Sequence, residues 1–129
     1  MTYDDEIYIK ETDGIKVSLC QVENDENLQE YYMCVENLSQ QKLHLLGKDW
    51  NITDDKGNVF TDKSNGFKGE LVELEAGEVF EMTSELPINS NMAVLYGNCK
   101  VMLGDVKKDI PIPTFMLSQY DLSKVANAS

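Results

Sequence analysis

Alternation of apolar and polar residues with a period of two runs through most of the chain and limits its fold more than any other feature. Ile15 and Val17 alternate with polar residues after a turn pair, and residues 31–36 repeat the pattern. Residues 92–96 and 99–103 form two further apolar runs separated by a glycine. Because successive side chains of a strand point to opposite faces, these runs predict about eight short β-strands.

Polar segments separate the apolar runs and predict turns rather than helices. Residues 53–58 predict a hairpin in which Gly57 supplies a positive φ, and the polar residues 37–41 predict a second hairpin. Ile110 and Ile112 alternate with prolines, which confine that strand to a sheet edge. No amphipathic helix of ten or more residues fits between the strands, so the sequence predicts an all-β sandwich or barrel.

The length of the chain predicts a single domain. A chain of 129 residues buries roughly two thirds of the surface that it exposes when unfolded, and its 42% of apolar residues are enough to build one core. We therefore predict one domain over residues 1–129. Its core is expected at about residues 5–117, and residues 118–129 are expected to form a frayed tail or one short helix.

The charge of the chain is strongly negative. There are 23 Asp and Glu residues against 11 basic residues, which gives a formal net charge of −12, and all the basic residues are lysines. An acidic surface repels a polyanion, and the bidentate grip of arginine on phosphate is missing. The sequence therefore predicts no nucleic-acid partner. The charge serves either solubility or steering toward a basic partner.

The cysteines and the N-terminus predict a cytoplasmic protein with no membrane contact. Cys20, Cys34 and Cys99 are an odd number of cysteines at spacings that match no metal or redox motif, as expected for reduced thiols in a core. The N-terminus is acidic where a secretory signal would be basic and then apolar. No apolar run approaches the length of a membrane span.

The side chains that could carry chemistry have no suitable partners in the sequence. His44 is the only histidine, and its alternation with two leucines predicts a surface position. Trp50 alternates with Ile52, which predicts a place in the core. Residues 54–58 are acidic but lack the ligand spacing of a calcium loop. The sequence predicts no catalytic residues, no metal site and no cofactor.

Four segments in order carry a resemblance to a known family. Residues 49–54, which include Trp50, are followed by residues 66–70, 76–84 and 112–117. Together these segments resemble the ApaG family. The resemblance implies a two-sheet antiparallel sandwich of about seven to eight strands, like immunoglobulin and fibronectin type III domains. It implies no established activity and only a loose connection with cobalt and magnesium homeostasis.

The resemblance also directs attention to one loop. ApaG proteins carry a Gly-x-Gly loop that suggests nucleotide binding, and here Ser64 stands in place of the first glycine. Lys48, Asp49 and Glu85 also depart from the residues usual in the family. Lys68 is the only cation expected near the loop. The candidate binding residues are Ser64, Asn65, Gly66, Lys68, Gly69 and Glu70.

Two functions follow from these observations. The first is a small non-catalytic module that recognises a protein with a basic face through inter-strand loops or an edge strand, because related domains occur in an F-box protein and a polymerase-interacting protein. The second is a binder of a nucleotide, pyrophosphate or a divalent cation at the glycine loop. We expect a monomer or a weak homodimer.

Overall fold

The computed structural model describes residues 2–23, 30–67, 70–86 and 92–118. These residues form ten strands and no helix. In chain order the strands are β1 (Thr2–Thr12), β2 (Ile15–Glu23), β3 (Glu30–Asn37), β4 (Leu43–Asp54), β5 (Val59–Asp62), β6 (Val72–Leu74), β7 (Val79–Glu85), β8 (Met92–Leu103), β9 (Val106–Pro111) and β10 (Phe115–Ser118). The described residues include no helical segment with the length and apolarity that a transmembrane span requires.

The strands form two antiparallel sheets. The first sheet has the order β1-β2-β3-β7. The second is built on the long pair β4 and β8, with β5 and β6 along the outer edge of β4 and with β9 and β10 along the outer edge of β8. The predicted all-β, two-sheet sandwich is therefore confirmed, and so is the edge position of the proline-bearing segment. The ten strands include β1, which the sequence did not suggest.

The core lies between the two sheets and follows the alternation seen in the sequence. The inward residues of β2, such as Ile15, Val17 and Leu19, are fully buried. Trp50 is 1% exposed, which confirms its predicted core position, and its ring lies edge-on to Tyr31 and Phe67. Large aromatic side chains at the centre supply much of the apolar area that the sandwich buries.

The segment after β3 is not the hairpin that its polar residues suggest. β3 pairs with β2 and β7, while β4 belongs to the other sheet, so residues 38–42 cross between sheets. The fully buried Asn37 stabilises the crossing. Its Nδ2 donates to the carbonyl oxygens of Gln41 (2.8 Å) and Leu74 (3.0 Å), and its Oδ1 accepts hydrogen bonds from Ser39. The polar residues here form the hydrogen bonds of a buried crossing between sheets rather than those of a tight turn.

β4 contains a β-bulge at Leu46. The register with β8 shifts between Leu45 and Gly47, which leaves Leu46 as the extra residue. The buried side chains therefore change from odd positions, such as Leu43 and Leu45, to the even positions that begin with Lys48. Gly47 consequently lies opposite Lys100 on the outer face of the sheet.

β8 is one continuous strand and not the two strands suggested by the sequence. It runs through Gly97, which has a φ of 136° and lies opposite Trp50. A Cβ at Gly97 would collide with the carbonyl oxygen of Asp49 and would lie 2.9 Å from the Cα of Trp50. Glycine is therefore required inside the strand because the neighbouring backbone approaches too closely for any side chain.

This close approach predicts the effect of an alanine substitution. Gly97→Ala should lower the free energy of unfolding by roughly 3 kcal/mol or more, because it combines an unfavourable φ with overpacking. Gly57→Ala is the matched control: Gly57 also has a positive φ, at 85°, but a Cβ there meets nothing within 4 Å. The control should cost about 1 kcal/mol in urea unfolding. Equal losses in the two variants would contradict the steric explanation.

Candidate functional site

A cleft of about 420 Å³ lies at the bulge in β4. Residues from β4, β8, β9 and the segment after β5 line it. They are Leu46, Gly47, Lys48, Lys63, Ser64, Asn65, Lys100, Val101, Lys107, Lys108 and Asp109. We call this the lysine cleft, because five of the eleven lysines of the chain line it.

The glycine loop is attached directly to the bulge. Lys48 N donates to Ser64 O (2.9 Å), and Gly66 N donates to Leu46 O (2.7 Å). The loop approaches so closely that a Cβ on Gly47 would lie 2.7 Å from Ser64 O. Ser64 and Asn65 therefore continue the sheet edge between β5 and β6 and form one wall of the lysine cleft.

Lys48 anchors this wall from inside the core. Its side chain is 9% exposed, and its Nζ lies 3.7 Å from Asp62 Oδ2 and 4.8 Å from the ring centroid of Trp50. The same carboxylate accepts a hydrogen bond from Ser64 N at 3.1 Å. The buried charge is thus balanced by a carboxylate and an aromatic face, and Asp62 connects the core to the loop.

The other four lysines of the cleft are more exposed and only partly paired. Lys108 Nζ lies 3.1 Å from Asp13 Oδ2, and Lys100 Nζ lies 3.9 Å from Asp109 Oδ1. Lys63 and Lys107 form no ion pair with any described residue. Within a chain of net charge −12, the cleft is therefore a local concentration of positive charge.

Only some of the residues predicted for the glycine-loop site line the cleft. Ser64 and Asn65 line the cleft, whereas Gly66 is buried behind them and Glu70 is exposed and outside the lining. Lys68 and Gly69 lie outside the described residues. The expectation that Lys68 is the only nearby cation is wrong, because strand pairing brings the lysines of β8 and β9 to the same cleft.

The remaining candidate residues have structural partners. His44 lies on the outer face, as predicted, with its Nε2 3.3 Å from Glu73 Oε1. Asp54 caps the predicted β4–β5 hairpin. It accepts hydrogen bonds from Asn58 and from Lys56 N, and those from Asn58 contribute most to holding its pKa below the usual range. In the part of the chain that the structure describes, no three His, Cys, Asp or Glu side chains are grouped to hold a metal ion.

The three cysteines form no disulfide bond with any described residue, and two of the three are buried. Cys20 and Cys99 lie in the interior, and Cys34 is half-buried on β3. Burial raises the pKa of the Cys99 thiol to about 12. Cys99 is therefore a neutral core residue at physiological pH, as expected from the sequence.

The contact between Lys48 and Asp62 predicts an asymmetry between two substitutions. Asp62→Asn should lower the free energy of unfolding by about 1 to 2 kcal/mol, because it leaves a buried ammonium without a countercharge while keeping the acceptor for Ser64 N. Lys48→Met should cost less than about 1 kcal/mol, since an apolar chain of similar length replaces the buried ammonium and the carboxylate of Asp62, which is 36% exposed, can still be solvated. The double variant, measured by urea unfolding, should resemble Lys48→Met. An additive double variant would show that the two groups do not interact.

Comparison with known proteins identifies the family. The family model of the ApaG domain matches residues 20–102, which extend from the end of β2 almost to the end of β8. The chain belongs to the ApaG family. The resemblance drawn from the four sequence segments is therefore confirmed.

Relatives and solved structures agree with this assignment. Protein ApaG of Allorhizobium ampelinum is 32% identical over 98 residues, and Protein ApaG of Xanthobacter autotrophicus is 33% identical over 98 residues; each alignment covers 75% of both chains. An X-ray structure of a structural-genomics target has a TM-score of 0.74 at 21% identity, covering 85% of this chain and 90% of that one. A Bordetella pertussis structure described as an ApaA protein has a TM-score of 0.66 at 21% identity, covering 91% and 94%. These two structures share the fold.

Proposed function

We propose that this ApaG protein is a small non-catalytic binding module whose lysine cleft holds a phosphate-bearing small ligand, such as pyrophosphate or the phosphates of a nucleotide. The observation that carries the proposal is that four lysines outside the core line one cleft in an otherwise acidic chain. Clusters of positive charge in a concave surface attract anions and raise their local concentration.

The lysines of the cleft supply phosphate-binding groups that the glycine loop lacks. The loop has lost the first glycine of the family pattern, and no helix N-terminus adds its dipole within the described residues. Lysine provides a point charge with three hydrogen-bond donors, and Lys63 and Lys107 have no countercharge among the described residues. Two unit charges 4 Å apart attract by about 4 kcal/mol at an effective dielectric constant of about 20. Several such lysines support binding of a multiply charged phosphate.

This function corresponds to the second of the two suggested by the sequence, a binder of a small ligand. The ligand is an anion, whereas the first function would require a protein partner with a basic face. The proposal includes a cytoplasmic location, which the presence of Cys20, Cys34 and Cys99 as thiols rather than disulfides supports. A divalent cation is not proposed as the ligand, because the lining of the cleft is cationic.

Removing the unpaired lysines should weaken binding of pyrophosphate. Lys63→Gln and Lys107→Gln should each reduce the affinity by about five- to tenfold in isothermal titration calorimetry, and the loss should shrink as salt is raised. Lys56→Gln is the matched control, since Lys56 lies in the β4–β5 turn and does not line the cleft. Thermal unfolding gives a second measure, because pyrophosphate at 100 times its Kd stabilises the fold by about 2.7 kcal/mol.

Two results would overturn this function. The first is the absence of any heat or thermal stabilisation with pyrophosphate and with ADP at millimolar concentration and low salt. The second is an equal loss of affinity in Lys56→Gln and the two cleft variants, which would indicate a general effect of net charge.

A second candidate function is protein recognition at β1, the edge strand of the first sheet. β1 pairs with β2, and its other edge pairs with no strand among the described residues. Ile7 and Ile9 are 59% and 55% exposed, whereas Tyr8 between them packs against the ring of Phe115. An unpaired edge can accept an extended peptide as an added strand. The net charge of −12 favours a basic peptide.

This candidate predicts that exposed isoleucines on β1 determine peptide capture. Basic extended peptides selected on the wild-type protein from a display library should bind the Ile7→Lys/Ile9→Lys variant at least tenfold more weakly in fluorescence anisotropy. Leu71→Lys is the control, because Leu71 is 74% exposed but lies outside the edge strand. Peptides that bind all three proteins equally would argue against β1 as the recognition edge.

A further inference from the structure

One carboxylate lines the otherwise cationic cleft among the described residues, and its position is unusual. Asp109 lies on β9 directly opposite Lys100 of β8, and it follows Lys107 and Lys108 in the chain. Its Oδ1 lies 3.9 Å from Lys100 Nζ, which is too far for a hydrogen bond. An acidic group at this place opposes the attraction that the lysines exert on an anion.

The carboxylate of Asp109 also has unused acceptor capacity. Asp62 accepts a hydrogen bond from Ser64 N, and Asp13 accepts one from Lys108 Nζ. Asp109 accepts none from any described residue, and its side chain is 62% exposed. An exposed cross-strand ion pair at 3.9 Å contributes little to stability, so the fold gives no strong reason for an aspartate at this position.

An ionised carboxylate can only accept hydrogen bonds, and this property discriminates between anions. Hydrogen phosphate and sulfate are both tetrahedral dianions at pH 8, and they differ by one proton. The lysines attract both equally. Hydrogen phosphate can turn its hydroxyl toward the carboxylate and donate a hydrogen bond, whereas sulfate can present only lone pairs and negative charge.

We infer that Asp109 makes the lysine cleft selective for oxyanions that keep a proton at neutral pH, such as inorganic phosphate, over fully ionised ones such as sulfate. The inference rests on the proposed function, since it requires that the cleft bind anions. It narrows the ligand class to inorganic phosphate and its condensed forms that retain a proton. Phosphate monoesters, which lose their second proton at about pH 6, are disfavoured above that pH.

The experiment compares phosphate and sulfate at pH 8 and constant ionic strength, by isothermal titration calorimetry with the full chain. The wild-type protein should bind phosphate about tenfold more tightly than sulfate, the factor expected for one hydrogen bond to a charged group. Asp109→Asn should bring the two affinities within about twofold of each other, mainly by strengthening sulfate binding. Asp109→Ser is a second variant with the same expected outcome.

Asp105→Asn is the matched control, because Asp105 lies in the exposed β8–β9 turn outside the cleft and its loss changes the net charge equally. It should keep the wild-type preference. A wild-type protein that binds both anions equally, or an Asp105→Asn variant that loses the preference as Asp109→Asn does, would overturn the selectivity while leaving anion binding intact. A wild-type protein that binds neither phosphate, sulfate nor pyrophosphate would overturn the proposed function and the selectivity together.

Discussion

The β-bulge at Leu46 is the constraint on which the core and the lysine cleft both depend. One extra residue in β4 shifts the phase of the strand, so that Lys48 and Trp50 point into the sandwich and Gly47 faces outward. With continuous pairing, the side chain of Lys48 would face solvent and that of Trp50 would leave the core. The bare backbone at Gly47 then lets the loop that contains Ser64 dock against the sheet.

The inward turn of Lys48 has an energetic consequence for the whole edge of the sheet. A buried ammonium is tolerated only when it is paired, and here Asp62 and the faces of Trp50 and Phe67 surround it. Asp62 also accepts a hydrogen bond from Ser64 N. The carboxylate that neutralises the buried ammonium therefore also positions the loop. The wall of the cleft is therefore held by a buried interaction rather than by surface contacts, as a site that must keep its shape requires.

The sequence predicts the sandwich and the family well because both are encoded locally. Alternation identifies the strands, and the loop motif directs attention to Ser64 and Asn65, which line the lysine cleft. The lysines of the cleft were missed because β8–β9 pairing and β4–β8 pairing bring together residues up to about 60 positions apart in the chain. A local signal of the bulge was present, since the apolar residues change from odd to even positions between Leu45 and Trp50. The crossing held by Asn37 has no such signal, because buried and exposed polar segments have the same composition.

The absence of arginine affects how the cleft can select its ligand. Arginine imposes planar, bidentate geometry on phosphate or carboxylate, whereas lysine acts as a flexible point charge that attracts any anion. Under the proposed function, the four exposed or half-buried lysines of the cleft would therefore supply affinity with little discrimination of their own. Discrimination must come from groups that reject the wrong anion, and a carboxylate that can only accept hydrogen bonds is such a group. Asp109 is the lining residue with this property, so the proposed anion site assigns affinity and selectivity to residues of opposite charge.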